Sequence, residues 1–236
     1  MQSAGQLLPK AGAISFCKFA CCTLHLPPIF AHFERSSFQH MISRRNIRVK
    51  VMQTLYTWTT AHSAISREQA VQQLMQHLNQ SRDLLIHLIY TLTETARYVE
   101  TDARLRASKH LPTPEDLSVN TKLAGNQLLW RILEQPSLQK AFEEVKPERN
   151  IPTEWIRKIY LELIQTDIYK AYIAQPQRDP KQEREILEFI FTDLMLPSES
   201  FTGFMEELFV HWDDDCEMIN LLMLNFLQKP HTYNFQ

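Results

Sequence analysis

The sequence predicts an all-α protein built as one or more helical bundles. Apolar residues recur at helical spacing through most of the chain after residue 41, and no segment alternates apolar and polar residues over the length of a strand. The 236 residues include only four glycines, too few for the turns of a many-stranded sheet protein or for the phosphate-binding loops of nucleotide enzymes. With 44% hydrophobic residues, the chain can bury one sizeable core or two small ones.

Residues 1–40 differ in character from the rest of the chain. They mix Phe, Cys, Pro and His without helical periodicity, capping residues or a charge pattern. A secretory signal is not predicted, because Lys18 and Pro27 interrupt the apolar run that such a signal requires. We expect this segment to be a disordered or non-native extension and Met41 to be the native start.

The first predicted helix covers residues 43–60, and Ser43 is a suitable N-cap. Its apolar stripe consists of Ile47, Val51, Leu55 and Trp58. A second helical stretch begins at Ser66 and runs to about residue 105, as one long helix or as two. Residues 41–106 are therefore expected to form the amino-terminal helical region.

Prolines divide the remainder of the chain. Pro112 and Pro114 interrupt the helical pattern, so residues 107–120 are predicted to be a linker. Apolar stripes between later prolines predict further helices in the region 121–236. These predicted helices cover residues 121–133, 137–145, 153–173, 180–196, 198–209 and 213–227.

Charge is distributed unevenly along the chain. The net charge is -2, yet residues 1–66 contain seven basic residues and a single acidic one, Glu34. A basic end on an acidic body favours a polyanionic partner at one place only. The basic residues concentrate at the start of the first helix, where no acidic residue occurs from Arg35 to Arg67.

On a helical wheel, Arg44 and Arg48 align with Val51 and Leu55. This alignment predicts that the first turns of the helix overhang the core and that the later turns are buried under it. Exposed guanidinium groups can bind phosphate oxygens in bidentate fashion and stack on unpaired bases. A solvated helix start with no ligand is the alternative that the charge pattern leaves open.

The opening helix carries a run of arginines followed by an apolar segment, a glutamine and a Leu-Tyr pair. The residues of this pattern are Arg44, Arg45, Arg48, Val51, Gln53, Leu55, Tyr56 and Trp58. Over about sixteen residues their spacing resembles the opening helix of the NusB family of bacterial transcription antitermination factors. In that family a run of arginines likewise precedes an apolar segment that ends in Gln, a spacer and Leu-Tyr.

The resemblance implies a NusB-like helical factor that binds the boxA element of ribosomal RNA leader transcripts as a single strand. Its expected partners are the ribosomal protein also called NusE and the transcription elongation complex. By position, the resemblance assigns RNA contacts to Arg44, Arg45, Arg48 and Lys50. It places Gln53 and Tyr56 near the RNA and the partner surface, with the remaining residues of the helix in the core.

The chain also departs from the family pattern. Family members are shorter than the region from Met41 to Gln236, so the helices between about 110 and 210 are interpreted as an insertion. The closing helix pair of the family is not evident, and we expect the family's carboxy-terminal bundle to be incomplete in this chain. A helical protein-interaction module without RNA binding is the alternative function.

No catalytic, cofactor or metal site is predicted. Asp213, Asp214, Asp215 and Glu217 lack the glycine turn of a calcium loop and are interpreted as favourable charges in the first turn of a helix. His77 and His87 have no Cys or Ser nearby that would make a nucleophile pair. Glutamates such as Glu144, Glu183 and Glu206 are interpreted as members of solvated helix faces.

Cysteine usage fits a reducing compartment. Cys17, Cys21 and Cys22 lie together near the start without zinc-ligand spacing, and Cys216 falls within a helical pattern, where it is expected to be a small buried apolar residue. No stretch is apolar for long enough to span a membrane. A cytoplasmic, non-enzymatic protein is therefore expected.

Overall fold

A computed structural model of the protein describes residues 42–61 and 65–235, and every regular element in those ranges is helical. The predicted all-α bundle is confirmed. The expectations for residues 1–40, for a start at Met41 and for the amino-terminal cysteines lie outside the described residues.

The first two helices agree closely with the sequence. Helix α1 covers Arg44–Thr60, and helix α2 is one continuous helix of 41 residues, Arg67–Ala107. A capping box starts α2: the backbone N–H of Gln69 donates to the Ser66 hydroxyl at 3.2 Å, and the backbone N–H of Ser66 donates to Gln69 Oε1 at 2.8 Å. Two of the N–H groups that lack a partner within the helix are thereby satisfied.

The remaining helices are shorter, and two of the predicted ones are interrupted. The predicted helix at 153–173 is divided because Thr166 caps a new helix, its hydroxyl accepting from the backbone N–H of Tyr169. Helix α8 continues into a π-helical turn, Ile190–Met195. The helices are α3 (Pro114–Leu117), α4 (Gln127–Leu133), α5 (Pro136–Val145), α6 (Thr153–Leu163), α7 (Asp167–Ala174), α8 (Pro180–Phe189), α9 (Glu199–Leu208) and α10 (Trp212–Gln228).

The second half of α2 lies at the centre of the molecule. Its residues from Leu84 to Val99 are mostly buried, and α2 packs against α1, α5, α6 and α10. One continuous apolar cluster joins α2 to helices on both sides of residues 107–120, and the described residues belong to one compact unit. The predicted linker therefore connects helices that share a core.

One glutamate that was expected to be solvated is buried. Glu183 is 1% exposed, its Oε1 lies 2.8 Å from Arg178 Nη1, and its Oε2 accepts from the backbone N–H of Gln127 at 3.0 Å. The expectation for Glu183 was wrong because this residue lies one turn before Ile186 and Leu187, on the inward face of α8. An ion pair and a helix N–H replace the solvent that its carboxylate loses.

Candidate nucleic-acid interface

The amino-terminal end of α1 is a compact cluster of positive charge. The Ser43 hydroxyl caps the helix by accepting from the backbone N–H of Asn46 at 3.1 Å. Arg44, Arg45 and Arg48 follow it, all exposed, and the first turn contains no acidic residue. The free N–H groups and the macrodipole add to this positive charge, so an anion bound here would relieve the repulsion among these groups.

A buried ion pair fixes α1 against the body of the protein. Lys50 Nζ lies 2.8 Å from Asp215 Oδ2 of α10, and the two side chains are 1% and 2% exposed. The same Oδ2 accepts from the Ser81 hydroxyl of α2 at 2.5 Å, and Oδ1 accepts from Asn46 Nδ2 at 3.3 Å. Three helices thus meet at one carboxylate, whose charge is compensated by a cation and two further donors.

This arrangement corrects the assignment of Lys50 as an RNA contact. The side chain is enclosed between α1, α2 and α10, and its ammonium group is already paired with Asp215. If the Lys50 ammonium group moved to a phosphate, the Asp215 carboxylate would remain buried without its cationic partner. Lys50 therefore holds the helix in place and does not face a ligand.

The face of α1 that carries the ion pair is the buried one. The buried residues of α1 are Lys50 and Thr54, whereas Leu55 is 50% exposed and Met52, Tyr56 and Trp58 are exposed as well. The prediction that Leu55 and the later turns are buried is wrong. The prediction fails because Lys50 and Thr54, which lie beside the apolar stripe on the helix, make the contact with α2 and α10 in its place.

Four exposed side chains follow one another at four-residue spacing along the outer surface of α1. They are Arg44, Arg48, Met52 and Tyr56, called the exposed row below. Residues at this spacing are neighbours on a helix surface. Within the described part of the chain, neither arginine of the row has an ion pair. Tyr56 is 71% exposed, which leaves its ring free for stacking.

The other two predicted RNA residues face the start of α10. Arg45 Nη1 lies 3.4 Å from Glu217 Oε2, an exposed pair, and Gln53 Nε2 donates to Asp214 Oδ2 at 2.7 Å. The structure therefore brings Arg44, Arg48 and Tyr56 together on one face and places Arg45 and Gln53 beside acidic groups. An exposed pair of this kind is weak, so Arg45 can exchange Glu217 for another anion at little cost.

The acidic residues of α10 lie where the sequence placed them. Asp213, Asp214 and Asp215 are in its first turn, as predicted. The sequence reasoning missed that Asp215 is buried and paired with Lys50. A signal was available, because Asp215 has the spacing of Ile219, Leu222 and Phe226, the buried stripe of α10, and a carboxylate in such a stripe requires a partner.

Two histidines adjoin this ion pair. The rings of His77 in α2 and His211 before α10 lie 4.4 Å apart in an edge-to-face arrangement. Burial lowers the pKa of both rings, and the positive charge of Lys50 lowers each further, while Asp215 acts in the opposite direction. Both rings are therefore neutral when the Lys50–Asp215 pair is formed near neutral pH.

His87, the other histidine considered from the sequence, has a structural role. Its Nδ1 lies 2.7 Å from the Asp83 carbonyl oxygen, and its Nε2 lies 3.0 Å from Asn150 Nδ2. Its ring packs edge-on against Phe209, and burial lowers its pKa. Cys216 is half-buried and packs against the core, so the expectation of full burial was only partly correct.

Among the described residues, no group of three or more His, Cys, Asp or Glu side chains is arranged to hold a metal ion. In the same part of the chain, none of the helices has both the length and the hydrophobicity that crossing a bilayer requires.

Comparison of the chain with protein-family models, with curated proteins and with solved structures gave no match.

Proposed function

We propose that this chain is a non-catalytic, RNA-binding transcription antitermination factor. It binds boxA-type single-stranded RNA of ribosomal RNA leader transcripts, together with a ribosomal protein of the NusE type and the transcription elongation complex. This role would place it in the cytoplasm. The observation that carries the proposal is the exposed row, in which two arginines without an ion partner among the described residues precede an exposed tyrosine.

The chemistry of the row suits a single strand. Arg44 and Arg48 offer planar donor forks to phosphate oxygens, next to the positive end of the α1 dipole. Tyr56 lies eight residues beyond Arg48, about 12 Å along the helix axis, and offers a ring on which an unpaired base can stack. Such stacking contributes about 1–3 kcal/mol per base.

The test is RNA binding by the Arg44→Ala/Arg48→Ala variant, measured by fluorescence anisotropy over a series of salt concentrations. The probes are a single-stranded boxA RNA and a shuffled RNA of the same length. We expect wild-type protein to prefer boxA RNA. In the variant, the slope of log K against log salt should flatten by about 1.4, about 0.7 for each lost phosphate contact.

A matched control removes the same charge elsewhere. Arg131 in α4 and Arg157 in α6 are both exposed, so Arg131→Ala/Arg157→Ala keeps the net charge of the test variant. Binding and salt slope should stay as in wild type. An equal loss in both variants, or unchanged binding in the α1 variant, would reject the exposed row as the RNA site.

A second candidate function is a protein-interaction module, favoured by the exposed apolar side chains of α1. Met52 and Leu55 lie on its outer surface beside the arginines. In the antitermination proposal this surface would contact the ribosomal-protein partner. Leu55→Gln should weaken binding of that partner and leave RNA affinity unchanged, whereas the arginine variant should do the reverse. A chain that binds the partner but no RNA would favour the second candidate.

A further inference from the structure

The seating of α1 conflicts with the apolar pattern of its sequence. An amphipathic helix normally turns its apolar stripe towards the core. Here Ile47 and Val51 are only half-buried and Leu55 is 50% exposed, while Lys50 and Thr54 are buried. Another interaction must therefore hold the helix in this rotation.

The buried ion pair supplies that interaction. Lys50 Nζ, the Ser81 hydroxyl and Asn46 Nδ2 all bond to the Asp215 carboxylate, at 2.8, 2.5 and 3.3 Å. The Thr54 hydroxyl donates back to the Lys50 carbonyl at 2.8 Å, so the buried face also satisfies its own polar atoms. Rotating α1 would separate Lys50 from Asp215 and leave a buried charge without a partner, which costs more than exposing an apolar side chain.

The rotation matters because Arg44 and Arg48 share the face of Val51 and Leu55. Leu55 follows Thr54 by one residue, about 100° around the helix. A turn of α1 that buried Val51 and Leu55 against α2 would carry both arginines towards the body of the protein. The exposed row would then be lost, although every residue of it would still be present.

We propose that the buried Lys50–Asp215 pair is the positioning element of the RNA site, because it holds α1 in the rotation that exposes Arg44, Arg48 and Tyr56. The consequence for RNA rests on the proposed function, but the rotation itself does not. Asp215 and Lys50 touch no RNA in this arrangement. They act through the orientation of α1.

The test compares Asp215→Asn with Asp213→Asn. Both residues lie in the first turn of α10, but Asp213 is exposed whereas Asp215 is buried. Rotation is followed by maleimide labelling of Leu55→Cys, read at residue 55 by peptide mass spectrometry so that the native cysteines do not interfere. RNA binding is followed with the single-stranded boxA probe.

We expect Asp215→Asn to slow labelling at position 55 several-fold while far-UV circular dichroism stays helical. Its salt slope for RNA should flatten by about 1.4, as for the arginine variant, because the same two contacts are lost. Asp213→Asn should change neither quantity. Lys50→Gln leaves Asp215 its bonds to Ser81 and Asn46 and should have the same effects as Asp215→Asn. If Asp215→Asn does not fold, Lys50→Gln takes its place in the test.

A suppressor variant separates rotation from general damage. In Asp215→Asn/Leu55→Gln, a polar side chain at position 55 removes the gain from burying that face, so RNA binding should recover towards wild type. Unchanged labelling at position 55 in both Asp215→Asn and Lys50→Gln would overturn the proposal, as would failure of Leu55→Gln to restore binding. If wild-type protein binds no RNA, the proposed function fails, and labelling alone decides the positioning role.

Discussion

A single carboxylate at position 215 connects α1, α2 and α10. Asp215 accepts from Lys50, Ser81 and Asn46, and it lies among the apolar residues of α10. Buried pairs of this kind contribute little net stability compared with an apolar replacement, but breaking one of them by removing a partner typically costs about 3–5 kcal/mol. The pair therefore serves geometry more than stability.

The histidines beside this pair make stability depend on pH. The pKa of His77 is lowered by burial, by the charge of protonated His211 and by Lys50; that of His211 is lowered by burial and by Lys50. Since unfolded histidines titrate near 6.5, the unfolded state binds protons first as the pH falls. The free energy of unfolding should therefore be highest above about pH 6.5 and should decrease as the pH falls below it.

Urea denaturation between about pH 7.5 and about pH 5.5 measures this effect within the titration range of histidine. The midpoint should fall over this interval in wild type and fall less in His77→Gln/His211→Gln.

Part of the decrease should remain, because burial also lowers the pKa of His87. Burial raises the pKa of Asp83, an effect of opposite sign at lower pH. A control at the exposed His110, His110→Gln, should follow wild type, and identical curves for all variants would contradict the prediction.

At the scale of the element, α1 contributes less to stability than its apolar composition indicates. Leu55 is half exposed, so Leu55→Ala should change the free energy of unfolding by no more than about 0.5 kcal/mol, the usual range for a surface substitution. The same substitution at Leu85 of α2, which is fully buried, should cost about 2–5 kcal/mol. Urea denaturation of both variants under one condition compares them. A loss at Leu55 as large as that at Leu85 would mean that position 55 is buried in solution.

At the scale of the molecule, one core joins the described helices, and it includes Phe235. This side chain is fully buried, its ring lies 5.6 Å from that of Phe226, and its carbonyl accepts from Arg82 Nε at 2.8 Å. Phe235, far from α2 in sequence, is therefore packed against Phe226 of α10 and hydrogen-bonded to Arg82 of α2.

We therefore expect Phe235→Ala to destabilise the whole unit, by about 3–5 kcal/mol. Unfolding followed by far-UV circular dichroism and by tryptophan fluorescence should remain one coincident transition at a lower urea concentration. Val210→Ala, at a highly exposed apolar position, is the control and should leave the midpoint unchanged. Separate transitions for the two probes would show that the helices do not share one cooperative core.

The helical class and many helix ends could be predicted from the sequence alone, because they depend on local signals. The sequence located the stretch of α2 but left open whether it is one helix or two. Ser43, Ser66 and the prolines mark starts and breaks through hydrogen bonds and backbone restrictions that span a few residues. The cluster of arginines at the start of α1 was also predictable, because these residues are close together in the sequence and lie in one predicted helix. The sequence missed the break at Thr166, within a continuous apolar pattern, and the π-helical turn at Ile190–Met195. It also placed a helix start at residue 121, where the structure begins α4 at Gln127, and it did not predict the short α3 within residues 107–120.

Which side chains of α1 face outward was decided by tertiary structure. Lys50 and Asp215 lie far apart in the chain, and no local pattern pairs a lysine in one helix with a carboxylate in another. Once paired and buried, they outweigh the apolar stripe, because an unpaired interior charge costs more than the exposure of Leu55. The sequence by itself determined that the chain is helical and that one end of α1 is basic. The exposure of Arg44 and Arg48 agrees with the sequence prediction that the first turns overhang the core. The fold alone decided that Leu55 is exposed and that Lys50 is buried, since burial depends on what the other helices bring to the contact.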